Sequence, residues 1–382
     1  MLKRLLAPFA TLLFLCIAVC CKRTGVETES SSSWKLVKID SFTVNYTKEI
    51  HGVAFNGRTG VFYHFKDVSL TQFDNKGNLL GTAPVPEDGP EAMGYIVGMR
   101  YRPDGSLLLQ SLNGEIGIMD SSLTLQRHLQ MPFQSTLPTL RSNVKSLDSQ
   151  GNDVLVYFPG RNGTNPFEKG YFKNNFLLEK IDLESGEVQP VFKLAPESKF
   201  QEDTYHDTPY VLIAVGGHDE VLYVLDNDPI IHRYVLRGND VPSLSIPLEA
   251  RKFIQVTPQP IPLGNMDGVY PGVIDGIHPI TGGFAVTYGE GLTKEEVDNQ
   301  RYADPRALKS IQRNVLKFYF YDKGWSDEID LPREISEILY IEGPEGISYG
   351  LKNVAFGGSQ TTNQVTIYKL AIESTGSTKG NR

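Results

Sequence analysis

The sequence predicts an all-β fold, a six-bladed β-propeller of four-stranded blades, and three recurrences along its 382 residues point there. The first is a series of short alternating apolar runs, each entered through a tight turn. They are "GVFYHF" (60–65), "SLLLQSL" (106–112), "DVLVYF" (153–158), "EVLYVL" (220–225) and "GFAVTY" (283–288). Period-two runs bounded by Gly, Asp and Asn read as strands, and their uneven return marks a repeat with insertions. The second recurrence is a strand–turn–strand unit after each run, at 70–81, 177–190 and 316–332. Asp74, Asp182 or Asp322 occupies its turn, with a glycine close behind. Aspartate bonds back to the chain in such turns, and glycine accepts positive φ. The third is a proline closing each unit: Pro84, Pro132, Pro196, Pro247 and Pro332. Proline lacks the N–H a ladder needs, so it belongs at an outer edge or exit.

Taken from its start, the chain opens with Lys3 and Arg4, then an uncharged run through Cys21, then Lys22 and Arg23. A short apolar run behind a positive start reads as an export signal. All three cysteines, Cys16, Cys20 and Cys21, lie at this end. A cysteine closing such a run resembles a bacterial lipobox, so residues 1–21 are read as a lipoprotein signal with lipidation at Cys21, or alternatively Cys20. Val19 and Cys20 both depart from the small residue usual just before the modified thiol. An ordinary cleaved signal or an uncleaved anchor is the other reading. Residues 22–33, with four consecutive serines, read as a flexible tether. The stretch 34–46, "WKLVKIDSFTVNY", is strand-like without a blade of its own. It is expected to pair into the last blade, closing the ring and removing an exposed edge. The propeller is placed at 34–372 and a disordered tail at 373–382. Strand order in the last blade, from about 334 to 358, is left open. A β-sandwich array and a ring of seven or eight blades are the architectural alternatives.

Blades crowd toward the axis, so small residues are expected on the innermost strands: Gly52, Gly98, Gly216, Gly272 and Gly276. In a propeller the first-to-second and third-to-fourth turns share one face, and all other connections share the opposite face. The first set is short here. The second set holds the insertions 158–175, 196–210, 249–272 and 289–313, the last with a short helix expected around 293–301. Long loops on a rigid scaffold are where binding usually resides.

The formal charge of −8 becomes −10 once a leader carrying Lys3 and Arg4 is removed. That argues against nucleic acid, whose phosphates demand basic patches, and leaves membrane association to a lipid anchor alone. The densest polar stretch, "DTYHDTPY" (203–210), offers Tyr205, His206 and Asp207 as ligand contacts. Asp226 and Asp228 in "DNDP", and Asp267 and Tyr270 in "NMDGVYPG", fall on the same rim. Exposed tyrosines there can stack on sugars or anchor a protein. Each feature also has a plainer reading, as a loop contact or a turn. Asp226 and Asp228 are weak metal candidates, since calcium wants six to eight oxygens and no EF-hand or zinc spacing is present. No cofactor is expected, Ca²⁺ being a weak option. No catalytic residues are assigned, because neither a G-x-S-x-G nor a thiol in the propeller supplies a nucleophile. His51, Arg100, Lys145, Asp275 and His278 fall on inner strands and read as lining of a wet channel.

The "CCKRTG" start, the "GVFYHF" and "GFAVTY" strands and the closing "AFGGSQTTNQVTIYKLAI" resemble the TolB-like six-bladed propeller lipoproteins of Bacteroidota. That resemblance implies an envelope lipoprotein, on the outer membrane facing the periplasm or displayed at the surface, with no catalytic residues to carry over. Three functions compete: a non-enzymatic module holding a protein, peptide or glycan at its loop-rich face; a calcium-dependent hydrolase or lactonase at the axis; and a structural subunit of an envelope complex.

Overall fold

Six antiparallel sheets radiate around one axis. In this computed structural model, the described residues are 34–136, 145–206, 210–217, 219–258, 267–300, 308, 311–353 and 364–374. The leader with its cysteines, the 22–33 tether and Asp207 lie outside them.

Blade 1 comprises β2 (Gly52–Phe55), β3 (Thr59–His64), β4 (Ser69–Asp74) and β5 (Leu79–Pro84), and blade 2 β6 (Ile96–Tyr101), β7 (Leu107–Ser111), β8 (Glu115–Met119) and β9 (Leu125–Gln130). Blade 3 holds β10 (Leu147–Gln150), β11 (Asp153–Val156), β12 (Phe176–Asp182) and β13 (Val188–Lys193). Blade 4 holds β14 (Val211–Val215), β15 (Glu220–Leu225), β16 (Ile230–Val235) and β17 (Leu244–Pro247). Blade 5 has β18 (Val273–Ile280), β19 (Gly283–Gly289) and β20 (Asn314–Phe320), with the outer position split between β21 (Gly324–Trp325) and β22 (Ile329–Asp330). Blade 6 runs β23 (Ile335–Ile341), β24 (Ile347–Lys352), β25 (Val365–Ser374) and, outermost, β1 (Trp34–Val44).

The N-terminal strand therefore closes the ring, as its unpaired apolar pattern predicts. Thr43 faces Thr366 at 3.3 Å and Gln364 donates to Asn45 at 3.2 Å, so β1 runs antiparallel to β25. Each of the five alternating runs forms the second strand of its blade. Those strands are nearly all buried because each blade is covered on both faces by its neighbours. Alternation then decides which neighbour each side chain meets. Leu107 and Leu109 pack between blades 1 and 2, while Leu108 packs between blades 2 and 3. Val221 and Tyr223 face blade 3, while Leu222 and Val224 face blade 5. The core is thus six apolar seams, one per blade interface, and not a single central mass. At the closing seam Phe62 stacks on Phe73 with centroids 4.3 Å apart, and Gly60 has no Cβ because the Phe73 ring occupies that space.

The turn aspartates act as expected at two positions. Asp74 accepts from the side chain of Asn78 and from the backbone of Asn78 and Lys76, and Asp182 from Ser185 and Glu184, and both carboxyls are held below the usual range by these bonds. Asp120 does the same in blade 2, through Ser122 and Thr124. Gly52, Gly98 and Gly276 lie in innermost strands; Gly216 and Gly272 flank them by one residue. The short helix α2 (Lys294–Asp298) begins with a capping box between Thr293 and Glu296.

Because strands alternate in direction, both kinds of connection sort by face. Turns 56–58, 102–106, 151–152, 216–219, 281–282 and 342–346 share one end with 75–78, 120–124, 183–187 and 321–323. The opposite end receives 157–175 and the described parts of the connections that follow Lys193, Pro247 and Gly289. Trp34 and Glu373 both lie at the tight-turn end.

Candidate functional site

At the loop-rich end, the short loop Asp226–Pro229 of blade 4 lies between two long connections, 194–210 and 248–272. Ser198 caps a 3-10 turn by accepting from Phe200 N at 3.3 Å, and its own hydroxyl donates to Asp228 Oδ2. That turn carries Lys199, whose Nζ donates to Asn227 Oδ1 at 2.6 Å and to Val256 O at 3.3 Å. Asn227 in turn donates through Nδ2 to Ile254 O (3.0 Å) and Gly272 O (2.6 Å) and accepts from Val256 N (2.8 Å). One asparagine thereby ties the 248–272 connection to the blade.

The structure brings three of the expected contacts together. Asp226, Asp228 and Asp267, with Glu202, all act on the ammonium of Lys199. Burial nonetheless lowers the Lys199 pKa from 10.5 to about 8, overcoming those carboxylates. Burial pushes the Asp228 carboxyl up, against the opposing pull of Ser198 and Lys199. Asp226 Oδ1 accepts from Tyr210 N at 3.0 Å, and Asp267 Oδ2 from Thr257 N at 2.8 Å.

Calcium needs a shell of six to eight oxygens, and these carboxylates are arranged around a lysine ammonium and backbone N–H groups instead. Among the described residues no group of three or more His, Cys, Asp or Glu is placed to hold a metal.

His206 does not pair with Asp203, whose carboxylate meets Lys169 Nζ at 3.3 Å. The imidazole lies against the Phe200 ring at 4.5 Å and contacts Thr204 Oγ1 at 3.2 Å. Burial, then the Lys199 charge, lowers its pKa to about 4, so it is neutral at pH 7. Tyr205 is half-buried, and Tyr270 is held through its backbone to Leu292. Lys199 was absent from the expected set, because nothing in its own neighbourhood of sequence shows that its partners lie on another blade.

Blade 3 adds a cleft of about 260 Å³ under its long second-to-third connection. Its wall includes Arg161, which pairs with Glu179 through Nε at 2.8 Å, and Asn174 of the one-turn helix α1 (Tyr171–Asn174). In the same connection Phe167 is 44% exposed.

The other end of the axis is built differently. A cavity of about 270 Å³ lies where the innermost strands finish, with Phe55, Tyr101 and Tyr340 among its walls, and it belongs to the tight-turn end. Arg100, Lys145, His278 and Glu337 line it from four different blades. Arg100 Nη2 meets Asp148 Oδ2 at 3.1 Å, and Lys145 Nζ meets Glu337 Oε1 at 3.2 Å. Asp148 also accepts from Val215 N and Ser149 N, both at 2.8 Å. Burial raises the Asp148 pKa, against the pull of Arg100 and of those two bonds. A bulge after Ile274 lets Asp275 accept from Thr287 Oγ1 at 2.6 Å.

No family model matches this chain, and no curated protein matches it. Among solved structures it is similar to a member of the DUF4221 family from Bacteroides vulgatus, at 12% identity and TM-score 0.63, over 90% of this chain and 99% of that one. It is also similar to an exported protein, so described provisionally, from Bacteroides fragilis, at 10% identity and TM-score 0.50, over 91% and 97%. At such identities the likeness is one of fold. The resemblance to TolB-like lipoproteins therefore holds at the level of the six-bladed ring.

Proposed function

We propose that this protein is a non-enzymatic binding module of the cell envelope, holding a protein or peptide at its loop-rich face. The observation that carries this reading is that the described parts of the long connections lie at one end and two of them are fastened there. Asn227 and Lys199 fix 248–272 and 194–210 against blade 4, which makes a rigid platform and lowers the ordering cost of binding. Beside it, the exposed ring of Phe167 and the cleft at Arg161 give an aromatic anchor and a recess, the pairing that concentrates binding energy in protein interfaces. The likeness to an exported protein and the leader pattern support an envelope address, with the chain held by lipid at Cys21 or Cys20.

The test is site-specific photo-crosslinking in the native envelope. A photoreactive residue at Phe167 or Tyr205 is expected to give a discrete adduct, and one at Lys76 in a tight turn none. Equal labelling from both ends, or none from either, overturns the proposal. Tyr205→Ala with Tyr270→Ala should weaken the adduct while leaving the melting temperature within a few degrees.

A further inference from the structure

We propose that the axial cavity at the tight-turn end is a second binding site, and that it takes a small organic carboxylate through Arg100, Lys145 and His278. His278 is 8% exposed, lines the cavity, and its Nε2 is buried without a hydrogen-bond partner among the described residues. Leaving a buried polar atom unsatisfied is costly, and native proteins rarely do so without a reason.

The absence of a side chain at Gly276 lets that nitrogen pack close to the backbone of β18. A Cβ on Gly276 would sit 2.4 Å from Thr287 Oγ1, 2.8 Å from His278 Nε2 and 3.4 Å from Lys145 Nζ. Gly276 therefore marks the point beside the cavity where the Thr287 hydroxyl and two nitrogens converge, one nitrogen from blade 5 and one from the segment entering blade 3. Arg100 approaches from blade 2.

The unused hydrogen-bonding capacity decides the ligand class. A guanidinium carries five N–H donors, and among the described residues that of Arg100 meets one carboxylate, through Nη2 to Asp148. An ammonium carries three donors; Lys145 places one on Glu337 and one, at 3.4 Å, on Ile338 O. On the acceptor side, Asp148 is already engaged by Arg100 and two backbone N–H groups, and Asp275 by Thr287. Glu337 is the carboxylate that remains partly open in the lining. Donors exceed acceptors, so the complementary ligand is rich in acceptors. A carboxylate matches the planar fork of arginine and accepts from the Lys145 ammonium, and from His278 Nε2 in the tautomer that carries the proton on that nitrogen.

His278 remains a neutral ring, since burial and the flanking Lys145 and Arg100 charges all disfavour its protonation. At about 30 Å³ per water, some 270 Å³ holds about nine waters. The ligand is thus a few heavy atoms on a carboxylate, with Phe55 and Tyr340 available to an apolar portion.

Thermal unfolding and calorimetry of the purified protein provide the test, using acetate, benzoate and an N-acetylated amino acid, each beside its amide and beside inorganic phosphate. A saturable stabilisation by at least one carboxylate, absent for its amide, is expected. His278→Leu should weaken that binding roughly tenfold or more without lowering the ligand-free melting temperature, because the imidazole loses no partner. Lys145→Gln combined with Glu337→Gln should weaken it as well, leaving no unpaired charge behind. Saturation by phosphate alone, equal response to acid and amide, no response to any probe, or undiminished binding in His278→Leu each overturns the proposal.

Discussion

At the loop-rich end Lys199 lies among Asp226, Asp228, Asp267 and Glu202 and donates to Asn227 and Val256, whereas at the tight-turn end Arg100 and Lys145 each meet one carboxylate and His278 Nε2 meets none. Both ends gather charge near the axis or its rim, yet their internal completeness differs. The polar cluster at the first end is closed on itself and serves to stiffen loops that carry the outward surface. The second keeps donors in reserve within a cavity. Charge density in the sequence therefore marks scaffold in one place and a recess in the other, and the hydrogen-bond inventory tells them apart.

The sharpest way to break this contrast is to remove the hub. Lys199→Met removes the bonds to Asn227 and Val256 together with the positive charge that acts on the buried carboxylate of Asp228, and the expected loss is about 3 kcal/mol in chemical denaturation. A loss below about 1 kcal/mol would mean that the cluster is not structural.

Acid titration comes next. Burial lowers the His206 and His232 pKa values from 6.5 to about 4. The unfolded chain then binds protons that the folded chain refuses, so stability is intact above pH 6.5 and falls as pH drops toward 4. His232 alone accounts for on the order of 2 kcal/mol of that fall, and His232→Asn should flatten the curve measured by unfolding at stepped pH. Lys199 works on the alkaline side with the same sign. Its lowered pKa makes stability rise with pH between about 8 and 10.5, a slope that Lys199→Met should abolish.

A smaller effect is expected from Ser198→Ala, which deprives Asp228 of a donor and the 3-10 turn of its cap, at roughly 1 kcal/mol. Smallest of all is His278→Leu, within about 1 kcal/mol of wild type in the absence of ligand. A large destabilisation there would move His278 into the same structural class as Lys199 and erase the contrast.

Much of the ring was legible in the primary structure, for identifiable reasons. Second strands such as "EVLYVL" announce themselves because both faces are buried and bounded by turns, and Pro84 and Pro247 do end outer strands. The order of blade 6 was not legible, because β24 and β25 are joined through a long segment and the fourth strand comes from the other end of the chain. Asp226, Asp228 and Asp267 were correctly placed on one rim, but their shared partner was invisible: the Lys199–Asn227 bond joins two connections from different blades. The same limit applied at the axis. Arg100, Lys145 and His278 were each recognisable as inner-strand polar residues, while their meeting in one cavity depends on three blades, and that of Lys145 with His278 beside Gly276 on a bulge as well.

The latch formed by β1 against β25 sets a timetable for the newborn chain. The first strand to be synthesised finds its partner only when residues 365–374 have appeared, so until then blade 6 has nothing to hold and β1 carries an open edge. A product truncated before Val365 would leave the circle gapped between blades 6 and 1, parting the Phe62–Phe73–Tyr349 seam from Ile367.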